Sequence, residues 1–455
     1  MASSKKKCII IGAGYAGLAA ARTLVGEGGD RLEVVVLEAG HRVGGRAHTE
    51  SLGQCGYAEF GATWLHGVVN HPVYEAALRL KYMDGTEKER AGMQWGTSQY
   101  VLEGAAAALE GADALAAAKA APANGGGGGG SSAVPAAAGS IGTFVRQRFQ
   151  QLDLAARGNV ACDAWAWRER LQRAIDGCHT TDDMNAASMA EYHELPGPNI
   201  PLPCGYQAVA EHFAEGLDIR FGQRVERVRY DAHGVHVTVA GGAELAADAV
   251  IVTVSLGVLK AEHEHMFSPP LPPCKASAIA ALAMGCVDKL FIEFGAAVGP
   301  AQASCCAVMW ITGADAVAME AATDEEVCRG VQGVLDAFPA ISLAGRPFRV
   351  RRTRWGADPL FRGSYSYCPA GARAADMDAL AAPVVSGPSP NPGPGGAAGG
   401  QAAPPRVLFA GEATHRSYFG TVHGAYFSGQ REARRLLAAF GVHSGAHVLS
   451  SIGSA

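Results

Sequence analysis

At 455 residues the chain exceeds what one hydrophobic core usually organises, which points to two or three domains. Hydrophobic residues make up 48% and charged residues 18%, and a net charge of −5 offers nothing to nucleic acid while being compatible with a cationic substrate. No apolar run reaches membrane-spanning length, the eleven cysteines are scattered without a CxxC pair, and Lys5-Lys6-Lys7 precede the first strand with no apolar signal region, so a cytoplasmic protein with free thiols, no membrane contact and no metal is expected.

Cys8 to Ile11 is a short apolar run of the buried parallel-strand type. It breaks into Gly12-Ala13-Gly14-Tyr15-Ala16-Gly17 and then an Ala/Leu-rich helical stretch. Gly12 suits a tight turn, Gly14 a close approach to pyrophosphate, and Gly17 close helix–strand packing, with the helix N-terminus and Ala16 beside the phosphates. A second apolar run, Leu32 to Leu37, ends at Glu38, placed to accept hydrogen bonds from ribose hydroxyls. Dinucleotide binding follows from the whole order of strand, loop, helix, strand and acid. Gly44-Gly45-Arg46 then favours a larger, permanently held cofactor, with Arg46 bonding its pyrophosphate. This N-terminus resembles that of the flavin amine oxidases, which implies FAD.

GATWLHG, Gly61 to Gly67, resembles the corresponding stretch of polyamine oxidases, especially the spermine-oxidising ones. The resemblance places Ala62 and Thr63 at the cofactor, Trp64 at the substrate, and His66 as the residue that orients or deprotonates it. Gly104 to Ser140 and Ser386 to Pro405 are Ala/Gly- and Pro/Gly-rich and hold too few large side chains to offset ordering, so both read as disordered insertions. Ile141 to Ile175 has helical spacing, with Phe144, Phe149, Leu152 and Leu171 expected inward. Glu191 and Glu194 are acids that could attract a polyamine tail.

Phe221 to Val228 and Val235 to Val239 read as strands about a turn at His233-Gly234, and the resemblance gives Val225 a backbone contact with adenine. His263 and His265 have no third partner in sequence and read as a surface loop. Leu290 to Phe294 alternates as a strand with Lys289 at its mouth; VDKLFIEF matches the family's lysine, implied to hold a water against the flavin. Trp355 and Tyr365, in RTRWGADPLFRGSYSY, are implied at the cofactor and as the flavin-facing wall. RVLFAGEATHRSYFGTVHGAYFSG supplies Gly411, Glu412, Thr421 and Val422 for the flavin and Tyr418 as the second aromatic wall. The absence of Cys from that block implies a non-covalent flavin.

The expected fold is α/β. A Rossmann-type FAD domain comprises segments 1–80, 205–270 and 406–455. An α+β substrate domain comprises 81–204 and 271–385. The resemblance implies a polyamine oxidase that transfers hydride from the carbon beside a secondary amine of a spermine- or thermospermine-type substrate to flavin, with O2 reduced to H2O2. Other flavin amine oxidases (monoamine, amino-acid or lysine-demethylase type) and a non-catalytic FAD scaffold are the alternatives.

Overall fold

The computed structural model describes residues 5–86, 139–151, 159–189, 191–298, 304–337, 347–385 and 404–442. The expected insertions therefore fall outside the described residues, apart from 139–140 and 404–405.

The strand Lys6–Ile11 lies between two parallel neighbours, Leu32–Leu37 and Ala249–Val252, with Cys8 opposite both Val34 and Ala249. Asp218–Arg220 extends the sheet beyond Leu32–Leu37. Pro405–Phe409 and then the antiparallel Val384–Val385 extend it beyond Ala249–Val252. One six-stranded sheet thus draws on stretches far apart in the chain. Its central strands end in apolar runs because both faces are covered there: Cys8 to Ile11 is buried, and Ala249–Val252 is buried at every position. The helix Tyr15–Gly28 packs on this sheet and against the helices Gly205–Ala214 and Val422–Ala439. A Cβ at Gly17 would lie 1.9 Å from the Gly12 carbonyl oxygen, so only glycine permits this helix–loop contact.

A second sheet joins Glu244–Ala247, Val235–Val239, Val225–Tyr230 and Phe267–Ser268. A third, antiparallel, has Val287–Val298 at its centre between Ser304–Thr312 and Phe348–Arg352. Helices and sheets are mixed, as an α/β architecture requires.

Several expectations need correction. Lys289 is not at a strand mouth but within Val287–Val298, directly opposite Trp310. The strand expected from Phe221 begins at Val225, because a positive φ at Gly222 turns the chain first. His263 and His265 sit on a helix, Leu256–Met266, rather than a loop; Ser255 caps it by accepting from the Val258 N–H at 3.1 Å. Leu171 is not inward but exposed to the cavity described below, while Phe144 is partly buried. The side chains of Phe149 and Leu152 lie outside the described ones. Cys55 is disulfide-bonded, so not every thiol is free, and the reducing address drawn from the cysteines loses that support. No described helix is long and apolar enough to cross a membrane.

Candidate active site

The sheets enclose a cavity of about 3180 Å³, several times the roughly 300–1,000 Å³ of an ordinary small-molecule pocket. At one part of its wall are Gly12, Gly14 and Ala16, with Glu38 at the end of the second strand. Gly12 takes φ +103°, a conformation that disfavours any side chain. Gly14, the N-cap of Tyr15–Gly28, has φ −72°, and a Cβ built on it meets nothing within 4 Å. Its side faces open cavity. Gly17 does not line the cavity and acts through packing alone. Both oxygens of Glu38 accept backbone N–H bonds, from Ala13 and Gly40 at 2.7 Å each, which fixes the carboxylate beside the loop.

The Gly44-Gly45 turn lies against this loop, with Gly44 N–H donating to the Ala13 carbonyl at 2.9 Å. Arg46 Nη1 bonds Glu412 at 2.9 Å and the Ser364 carbonyl at 2.8 Å. The two residues expected at separate parts of the cofactor are therefore an ion pair bridging segments 366 positions apart. Glu412 is buried and further accepts from Gly420 N–H at 2.8 Å and Ser366 Oγ–H at 2.5 Å. Val225, Trp355, Gly411, Thr421 and Val422 complete this side. Thr421 caps Val422–Ala439, accepting from Gly424 N–H at 3.0 Å, so a second helix N-terminus faces the cavity. An open glycine cradle, two helix N-termini and a fixed acid at a strand end together fit FAD.

Further along the wall stand Ala62, Thr63, Trp64, His66, Lys289 and Tyr365. Lys289 is buried. Its Nζ donates to the carbonyls of Glu59 at 2.7 Å and Gly61 at 2.5 Å and to Thr63 Oγ1 at 2.6 Å, and lies 4.6 Å from the Trp310 ring centroid. These bonds engage as many donors as an ammonium has. Burial lowers the Lys289 pKa to about 7, against the opposing pull of Glu59. Burial likewise raises Glu59 to about 7, less the help of bonds from Tyr206 N–H and Thr49 Oγ1. Behind Lys289, Asp288 accepts from Thr353 Oγ1 at 2.6 Å and Trp355 N–H at 3.1 Å, tying the Trp355 turn to the lysine strand. Trp355 itself donates from Nε1 to the Phe60 carbonyl at 3.2 Å.

Cys286, Asp288 and Glu320 converge there, and they are the described residues that could share a metal. Burial and then Asp288 raise Glu320 to about 7.

Tyr365 lines the cavity and donates its hydroxyl to the Ala174 carbonyl. Tyr418 is a correction. It is not among the described residues of the wall; its ring packs on His415, His423 and Phe427. Phe419 lines the cavity instead, edge-to-face with Tyr192 at 5.2 Å. Glu191 also departs from expectation. It lines the cavity but is ion-paired with Arg416, which Asp378 also holds at 2.8 Å, so its charge is already answered. Glu194 is exposed on the wall with no ion pair among the described residues. Sequence reasoning missed Phe419, Tyr192 and Trp310. Only the strand register, Lys289 opposite Trp310, brings the last into view.

Behind the wall, His71 and His423 are each 1% exposed with ring centroids 5.0 Å apart. Burial, then nearby His66, lowers His71 to about 3. Burial, then His71 and the other nearby histidines, lowers His423 to about 2. These are bases with folded-state values below the ordinary 6.5, so only the unfolded chain takes up protons as pH falls from about 6.5 to about 3. Stability is therefore lost over that window, by up to about 1.4 kcal/mol per pH unit for each group. Thermal melts between pH 7 and 5 should show the fall, and His423→Phe should flatten it. An unchanged slope in the variant would remove His423 from the acid response.

A profile of the family "Flavin containing amine oxidoreductase" matches residues 15–90 and 165–437. The chain is similar to "Polyamine oxidase 1" of Oryza sativa subsp. japonica, 35% identical across 96% of this chain and 98% of the relative. It is 30% identical to "Probable polyamine oxidase 5" of Arabidopsis thaliana, over 96% of this chain and 98% of that protein. It is also 30% identical to "Peroxisomal N(1)-acetyl-spermine/spermidine oxidase" of Homo sapiens, over 95% and 94%. With a glycine cradle fitted to a dinucleotide and a buried amine in the same cavity, the chain belongs to the flavin-containing amine oxidoreductases and is a polyamine oxidase-like enzyme with FAD as its cofactor.

Proposed function

We propose that the protein oxidises a secondary amine of a spermine- or thermospermine-type polyamine, with O2 as acceptor. The observation that carries this reading is one continuous cavity that joins the glycine cradle to Lys289, Tyr365, Phe419 and Glu194, an acid with no ion pair among the described residues. The names borne by its relatives support the same class. When bound, FAD supplies the two-electron chemistry, accepting hydride from the carbon beside nitrogen and passing the electrons to O2.

In this reading the residues divide as follows. Gly12, Gly14, Ala16, Gly44 and Gly45 give the pyrophosphate a surface free of side chains. Glu38 accepts from the ribose, Val225 meets the base through its backbone, and the paired Arg46 and Glu412 hold the cradle's two halves together. Ala62, Thr63, Trp355, Gly411, Thr421 and Val422 bound the flavin, which is held without a covalent bond. Segments 1–80, 205–270 and 406–455 form the cofactor domain, and 81–204 with 271–385 the substrate domain.

Tyr365 and Phe419 confine the amine, and Trp64 completes the wall. Cation–π attraction steers a protonated nitrogen toward them. His66 accepts the amine's proton, so that the nitrogen is neutral when oxidised. Lys289, with a pKa near 7, is poised to give or take a proton in the steps that follow. Water then cleaves the imine to an aldehyde and a shorter amine.

Peroxide release should be measured with spermine, thermospermine, spermidine, an N-acetylated polyamine, a monoamine and an α-amino acid. The polyamines should lead in kcat/KM by about 100-fold or more. A lead by the monoamine or the amino acid would replace polyamines with that class.

A further inference from the structure

The cavity wall contains a feature that the amine chemistry does not use. On the helix Asn159–Asp176, Trp167, Leu171 and Ile175 recur every fourth residue and so lie on one face. They are 44%, 38% and 49% exposed, and all three line the cavity. Val308 and Trp310, alternate residues of the strand Ser304–Thr312, line it too, at 45% and 43% exposure. Large apolar side chains left half-bare inside one cavity mark a binding surface.

Charge decides what kind of group binds there. The same helix lends the wall Asp163 and Asp176 but also Arg170 and Arg173, so its acids are matched by bases. A terminal ammonium on this stripe would lose hydration against Leu171 and Ile175, and the acids its own helix brings to the wall are matched in number by bases. An apolar group loses nothing and removes those faces from water.

The slot is continuous with the reacting part of the cavity. Tyr365 bonds the Ala174 carbonyl, between Leu171 and Ile175 in the chain, and Trp310 carries Lys289 over its ring. A substrate oxidised beside Lys289 thus has its far end within reach of the stripe.

We propose that this slot receives an apolar acyl or aryl group, larger than acetyl, carried on the remote nitrogen of the amine substrate. The inference rests on the polyamine reading of the site and narrows it to N-conjugated amines.

The test uses holoenzyme and a tetraamine analogue in which methylene replaces each of the two internal secondary nitrogens, so that no secondary amine remains to turn over. Calorimetric titration compares the analogue with its terminal N-benzoyl derivative. The benzoyl form should bind about tenfold tighter or better. Leu171→Ser and Trp167→Ala, both at exposed positions, should each erase the preference, with unchanged melting temperature and unchanged affinity for the unconjugated analogue. Kinetics with the oxidisable pair should show the same preference in kcat/KM. Equal binding of the two analogues, or a preference that survives both variants, would overturn the slot. Failure of every polyamine to be oxidised, with the benzoyl preference intact and sensitive to the variants, would sink the polyamine reading and leave the slot standing.

Discussion

Replacing Lys289 with Met should lower turnover by about 10²–10³-fold, in the range of a lost general acid or base. The fold should survive. The folded-state pKa of Lys289, about 7, lies below the ordinary 10.5, so between those values the folded protein binds fewer protons than the unfolded chain. Holding this lysine therefore costs stability at neutral pH, and the cost shrinks as pH rises toward 10.5. Methionine removes that cost but leaves the carbonyls of Glu59 and Gly61 without their donor. The two effects oppose, and the melting temperature should move by only a few degrees. Rapid-mixing measurements of substrate oxidation and of reoxidation by O2, each across pH, should show which step loses its limb near pH 7. Unchanged rates in both steps would remove Lys289 from the chemistry.

The second large effect concerns the cofactor. Gly14→Val should cut FAD affinity by about 100-fold or more, equivalent to about 2.7 kcal/mol, and yield colourless protein that still folds. The physical reason is specific to this position. Gly14 has an ordinary φ of −72°, and its missing Cβ points into open cavity, so the added side chain strains nothing and occupies only cofactor space. Gly17→Val is the contrasting control. Its Cβ would meet the Gly12 carbonyl at 1.9 Å, and the loop cannot yield without moving the first strand. That variant should lose stability with or without FAD. Flavin absorbance and melts of both proteins separate the two outcomes. A yellow Gly14→Val protein would mean that the cradle does not hold the pyrophosphate.

The strand–loop–helix at Cys8 to Leu24 was legible because its geometry is local. Glycine spacing, an apolar run and an Ala-rich stretch each dictate backbone over a few residues, and they agree. Lys289 was singled out by resemblance; its surroundings were not legible. That Trp310 stands across from it depends on strand register, and the Glu59–Thr63 loop reaches its amine from 226 to 230 positions away. Glu191 read as an unanswered acid because Arg416 is 225 residues distant. The exchange of Tyr418 for Phe419 has a nearer cause. The chain turns at Gly420, with φ +72°, and Tyr418 is claimed by the rings of His415 and His423, so a one-residue shift decides which aromatic meets the cavity. The helix Leu256–Met266 was missed because two histidines and a following Pro-rich stretch masked a clear Ser255 cap.

The most direct measurement is an anaerobic one. Purified holoenzyme is mixed with spermine, thermospermine, spermidine, an N-acetylated polyamine, a monoamine and an amino acid while the flavin absorbance is followed. The flavin should bleach with the polyamines, and admitting O2 should restore the colour with release of peroxide. Bleaching by the monoamine or the amino acid alone would contradict the substrate assignment, and a flavin that no amine bleaches would make the protein an FAD-bearing scaffold.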